Sequence, residues 1–152
     1  MSAKEGWNII SRGYQEKTRI SLEDVHYGPI SPGESELKLL GDVKGKDVLE
    51  IGCGGGQNTV VLAKWGARSV GLDISGEQIK FARKLAWNDS VDVSFHVGDM
   101  EDLSMFNNQS FDSPLIVCHR IFAESETSIS RGLQGINEKW FVCFLCYSSS
   151  SF

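Results

Sequence analysis

Four short apolar runs are spaced along the first 120 residues, with amphipathic stretches between them. Residues 47–51, 69–73, 91–97 and 111–118 read as buried-type strands, the first followed by Gly52 and the second ending on Asp73. Residues 58–65 carry Val60, Val61, Leu62 and Ala63 at helical density and close on Gly66, a residue suited to the left-handed end of a helix. A further helix starts after Ser75, with Gln78 three positions on as the expected capping partner and Ile79, Ala82, Leu85 and Ala86 on its inner face. Ser31-Pro32-Gly33-Glu34 has the same capping-box spacing, followed by Leu37, Leu39 and Leu40, with Gly41 as the expected stop. Residues 1–30 show no strong period and predict a helix or two plus loop.

Strands alternating with helices of this length predict βαβ units. The fold class that follows is α/β: a doubly wound, Rossmann-like, mostly parallel sheet in three α/β/α layers. Crossovers in such sheets are right-handed, and ligands sit at the carboxyl ends of the strands.

Those strand ends hold the candidate chemistry. Glu50-Ile51-Gly52-Cys53-Gly54-Gly55-Gly56 places a carboxylate and four glycines at the first strand-to-helix turn. Gly52 and Gly54 have no Cβ, so the backbone can turn sharply and approach a ligand closely. Glu50, expected to point into the same crevice, suits a cationic group. Asp73 ends the second strand, where a carboxylate can accept both hydroxyls of an adenosine ribose. Gly98-Asp99-Met100 ends the third; Asp99 can accept from an adenine amino group while Met100 packs on the ring. A glycine-rich turn alone is weak evidence, but three carboxylates ending three successive strands point to an adenosine-containing ligand. A nicotinamide oxidoreductase is the remote alternative. Its Gly-x-Gly-x-x-Gly fingerprint would need glycine at position 57, which is Gln57.

These motifs resemble those of class I S-adenosylmethionine-dependent methyltransferases, in particular small-molecule enzymes similar to those of quinone biosynthesis. Residues 48–56 look like the family's first motif. Gly71-Leu72-Asp73-Ile74-Ser75 with Gln78, Ala82 and Arg83 looks like its second, Gly98-Asp99-Met100 its third, and Phe111-Asp112 the opening of its fourth strand. The resemblance covers roughly residues 30 to 119. It implies S-adenosyl-L-methionine as cofactor. Glu50, Gly52, Cys53 and Gly54 would hold the methionine moiety, and Asp73 the ribose. Ile74, Asp99 and Met100 would surround the adenine, with Gln78 a cofactor contact or simply a helix cap. His119 would lie beside the methyl donor, and Tyr14 would close over the cofactor. It also implies a small-molecule methyl acceptor; no catalytic residue can be named.

The expected domain organisation is one methyltransferase-like domain over 1–152, with an N-terminal cap (1–30), a cofactor-binding half (31–119) and a divergent tail (120–152). The tail has no Lys-Pro-Gly-Gly-like turn, and Pro114 falls inside the fourth strand. The sheet is therefore expected to be incomplete on its C-terminal side. Two outcomes stay open: a working methyltransferase, or a truncated, catalytically inactive cofactor-binding remnant or partner subunit. Self-association through 111–118 or 140–147 is a further expectation.

Composition narrows the classes. Net charge is −5, from 15 basic and 20 acidic residues, with no basic block, so nothing suggests a nucleic-acid partner. The longest apolar run, 140–147, is too short to span a bilayer. With no visible export signal, the four cysteines read as reduced thiols in the cytoplasm. Cys143 and Cys146 lack a second ligand pair, so no metal is expected. His96 reads as structural; His26 reads as a loop residue with either a structural or a substrate role.

Overall fold

The structure is a computed structural model that describes residues 1–28, 31–106 and 111–116, the last four of these by their backbone alone. Residues 3–17 form α1 (Ala3–Lys17), started by a capping box in which Ser2 accepts from the Glu5 N–H and the Glu5 carboxylate accepts from the Ser2 N–H. A single turn, α2 (Glu34–Leu37), leads to β1 (Asp47–Ile51). There follow α3 (Gln57–Lys64), β2 (Arg68–Asp73), α4 (Gly76–Asn88) and β3 (Ser94–Val97). A 3-10 turn (Ser104–Phe106) then precedes β4 (Ser113–Ile116).

All four strands are parallel, in the order β3-β2-β1-β4. The chain thus winds outward through β2 and β3, then returns to the far side of β1. That reversal lies between β1 and β4, beside the glycine-rich turn, where an open α/β sheet forms its ligand crevice. Leu49 of β1 pairs with Pro114 of β4. Among the described residues β4 pairs only with β1, the setting in which a strand tolerates proline's missing donor.

Alternation along the strands divides the core in two. Val48 packs with Val61, Leu62, Val25 and Tyr27 beneath α3, and α4 seals Cys53, Val60, Ile79, Ala82 and Phe95 on the same side. Leu49, Ile51 and Leu72 face the opposite way, covered by Leu103, Phe106 and Phe111. His96 packs edge-on against Phe106 with ring centroids 5.5 Å apart, the structural role expected of it. A helical layer on this second face would have to come from beyond the described residues, where 117–118, His119 and 140–147 also lie. At the amino ends, Arg68 forms two 2.7 Å bonds to Asp47, whose N–H donates to the Asp112 carboxylate.

Two capping expectations change. Ser31 does not cap α2: Gly33 is its N-cap, without a side-chain bond, and Lys38 is its C-cap in the left-handed region, φ 52°. Glu34 turns inward instead. Its buried carboxylate accepts from the Tyr27 hydroxyl and from the N–H groups of Leu39, Leu40 and Gly41, so it organises the loop rather than the helix start. At α4, Ser75 accepts from the Gln78 N–H as expected, but the reciprocal bond is absent because the Ser75 N–H donates to Asp73.

The ends of α3 and α4 form a matched pair. In each, the second residue past the cap donates back five positions (Ala67 to Leu62, Val91 to Ala86), and the intervening residue has positive φ. In α3 that residue is Gly66; in α4 it is Ser90, at φ 55°. Ser90→Gly is therefore expected to raise stability by roughly 1 kcal/mol, the cost of a Cβ in that conformation. An unchanged or lower urea midpoint would contradict this.

Candidate functional site

The site is built from three strand ends stitched together by backbone hydrogen bonds. After β1 the chain turns through Gly52, Gly54 and Gly56, with φ of 74°, 52° and 80°. The N–H groups of Gly52 and Cys53 both donate to the Leu72 carbonyl, at 2.8 and 3.0 Å, tying the turn to β2. Gly98 N–H donates to the Asp73 carbonyl at 2.9 Å, tying the end of β3 to the end of β2.

Asp73 sits at the centre. Its two carboxylate oxygens accept from the Gly54 N–H and the Ser75 N–H, both at 2.8 Å. Those bonds fix the plane of the group and leave further lone pairs on each oxygen. Burial raises its pKa above the ordinary aspartate value, outweighing the two backbone bonds that favour the anion.

Glu50 is expected in the open crevice; the structure places it beneath the turn instead. It is 2% exposed and accepts from the Thr59 hydroxyl. Burial pushes its pKa up to about 7, against the stabilising bonds of Thr59 and Asn58 and helped slightly by the Asp73 charge. Cys53 also points inward, over Gly71, and burial, followed by the Glu50 and Asp73 charges, pushes its thiol well above the usual range. Its side chain belongs to the core, and only its backbone lies on the turn.

The remaining expected residues divide clearly. Ile74 is half-buried beside Asp73. Asp99 is exposed after β3 and accepts from the Glu101 N–H at 3.0 Å, while Met100 packs against the core of that face. Gln78 is buried, and its side-chain carbonyl accepts from Gln15 at 2.8 Å. Tyr14 is half-buried, its ring edge-on to Trp7 at 6.0 Å, and burial raises its pKa. His119 lies outside the described residues.

The sequence did not reveal how α1 reaches the turn. Asn8 accepts from the Ser75 hydroxyl at 2.7 Å, and Ser11 lies 3.3 Å from the same hydroxyl. Gln15 bridges Gln57 and Gln78 at 2.8 Å each, and its amide covers Gly55 so closely that a Cβ there would meet it at 2.5 Å. These are polar residues on a helix without a clear period, so no sequence pattern separates them from solvent-facing ones. Among the described residues, no group of three or more His, Cys, Asp or Glu side chains could hold a metal ion, and no helix is long and apolar enough to cross a membrane.

Comparison with known proteins identifies the family and the fold. A curated relative is the ubiquinone biosynthesis O-methyltransferase of Xanthomonas oryzae, 38% identical over 47% of this chain and 30% of the relative. Another, from Methanocaldococcus jannaschii, carries the provisional name protein N5-glutamine methyltransferase and is 40% identical over 56% of this chain and 44% of its own length. The chain spans less than half the length of these relatives. Among solved structures, one from work on the conversion of a disulfide bond into a thioacetal group during echinomycin biosynthesis is 28% identical, with a TM-score of 0.57. It matches 74% of this chain and 46% of that one. The magnesium protoporphyrin IX methyltransferase of Synechocystis, solved with bound S-adenosylmethionine, shares the fold at 20% identity and a TM-score of 0.55. That match covers 74% of this chain and 58% of that one. The family model described as a methyltransferase domain matches residues 48–137, more than half of the sequence, and the chain belongs to that family.

Proposed function

We propose that this chain binds S-adenosylmethionine in the crevice at the ends of β1, β2 and β3 and transfers its methyl group to a small-molecule acceptor. The observation that carries this reading is Asp73, whose carboxylate is fixed by Gly54 and Ser75 beside the glycine turn with lone pairs to spare. The residues present fit the cofactor. A Cβ built on Gly54 meets nothing within 4 Å, so that side of the turn is open to a ligand.

When bound, the cofactor supplies an activated sulfonium methyl. The chain's part is to orient. Asp73 accepts the ribose hydroxyls, Ile74 and Met100 line the adenine, and Asp99 accepts from its amino group. Glu50 provides negative charge beneath the methionine end, over the backbone of Gly52, Cys53 and Gly54. Tyr14 and Gln15, on α1, close the near side. Positioning of this kind contributes on the order of 7–11 kcal/mol to a two-substrate reaction.

Calorimetric titration with S-adenosylhomocysteine tests the reading. The natural protein should bind saturably. Asp73→Ala should weaken binding by about 10-fold to 150-fold, since charge-assisted hydrogen bonds contribute roughly 1.5–3 kcal/mol. A folded natural protein that does not bind, or an Asp73→Ala variant that binds equally well, would sink it.

A further inference from the structure

A line of polar side chains leads from the glycine turn into the loop between α1 and α2. It starts at the buried Glu50 and passes through Asn58, the second residue of α3, whose side chain favours the Glu50 anion. Asn58 is itself 2% exposed. Its Oδ1 accepts from the His26 N–H at 2.9 Å and lies 2.5 Å from Nδ1 of the His26 ring. Its Nδ2 donates to the His26 carbonyl at 2.9 Å.

These contacts determine the state of the ring. Asn58 receives a backbone N–H on one side and gives to a backbone C=O on the other, so its amide can be oriented only one way. The atom facing Nδ1 is therefore an oxygen, a pure acceptor, and Nδ1 must carry a proton. In the neutral imidazole, Nε2 is then a bare lone pair. No described residue bonds to Nε2, and the ring is half-exposed. The two backbone bonds already tie the loop to α3. What the ring contact adds is a chosen tautomer, with the basic nitrogen on a half-exposed ring. His96, by contrast, is packed against Phe106.

We propose that His26 is the proton acceptor for the methyl acceptor, with Asn58 as the residue that positions it. This rests on the methyltransferase reading above. An acceptor hydroxyl gives its proton to Nε2 as its oxygen forms the new bond to the methyl carbon. The sulfur–methyl bond breaks, its electron pair staying on sulfur as the neutral thioether. The resulting imidazolium, held by Asn58, returns its proton to water.

The test uses the full chain saturated with S-adenosylhomocysteine and labelled with 15N-histidine. NMR should show His26 protonated at Nδ1 and bare at Nε2, and Asn58→Ala should lose that single tautomer. In parallel, methyl transfer from labelled S-adenosylmethionine to catechol should fall 100-fold or more in His26→Gln. Glutamine can still donate to Asn58 but has no basic nitrogen, so S-adenosylhomocysteine affinity should stay within about twofold. A proton on Nε2, or His26→Gln turning catechol over at the natural rate, overturns the proposal and leaves cofactor binding standing. If catechol is not turned over, the tautomer decides. Failure of the natural protein to bind S-adenosylhomocysteine overturns the underlying reading instead.

Discussion

Replacing Glu50 by glutamine is expected to make the protein more stable above pH 7 and to leave it close to the natural protein near pH 4.5. Glu50 is fully enclosed, and burial raises its pKa from 4.5 to about 7. A carboxyl whose folded pKa is raised favours folding while it is protonated in both states, below pH 4.5. That advantage is lost as pH climbs through about 7, because the unfolded chain ionises more easily. At 1.36 kcal/mol per pKa unit the loss approaches roughly 3 kcal/mol. Glutamine keeps an acceptor for the Thr59 hydroxyl and never ionises, so the variant should not show this slope. Urea unfolding of both proteins at pH 5 and pH 8 reads the difference directly. Stability curves that stay parallel between those values would show that Glu50 is not held neutral by burial.

The same substitution should weaken ligand binding. A cationic group arriving over the turn favours the Glu50 anion, so binding draws the carboxyl back toward ionisation and releases a proton near neutral pH. Glutamine cannot respond. On the proposed reading, Glu50 would destabilise the isolated fold at neutral pH and become favourable with a positive ligand in place, as expected where a site is built at a cost in stability.

Much of this was legible in the sequence because strand ends and tight turns have strong local causes. The carboxylates 50 and 73 lie at the ends of short apolar runs bounded by turn residues, 99 follows another, and the glycines between the first run and α3 mark the turn. Gly66 announced the end of α3 because a left-handed cap favours glycine. Ser90 occupies the same kind of cap at the end of α4 without being glycine, so that boundary carried no such signal. Other features depend on partners far apart in the chain. Ser31 has a capping-box spacing, but Glu34 finds Tyr27 and three backbone N–H groups in the loop, a better set than one helix end offers. The direction of Glu50 was misjudged because Thr59, nine residues away, turns it inward. The pairing of His26 with Asn58 spans 32 residues, and that of Gln15 with Gln78 spans 63. No periodicity records such distances.

Gly56→Ala is expected to be among the most damaging single methyl additions in the chain, and its comparison with Gly54→Ala separates folding from binding. Both glycines lie in the same turn and both have positive φ, 80° and 52°. A side chain in that region costs roughly 1–2 kcal/mol at either position. Their surroundings differ completely. At Gly54 the new methyl meets nothing within 4 Å. At Gly56 it would lie 2.7 Å from Cβ of Ala82 and 2.8 Å from the Phe95 ring. Ala82 has no flexible end to move aside, and Phe95, on β3, is buried against α4. Overpacking of that kind adds about 1–3 kcal/mol. Gly56→Ala should therefore lose on the order of 3–4 kcal/mol, a large share of the stability of an ordinary domain. Gly54→Ala should lose only about 1–2 kcal/mol and fold, yet its methyl would project onto the open side of the turn where the proposed ligand would lie. Urea midpoints combined with S-adenosylhomocysteine titration distinguish the two. Equal destabilisation by both would mean that the turn, rather than its contact with α4, sets the cost. Unimpaired binding by Gly54→Ala would place the ligand elsewhere than against this backbone.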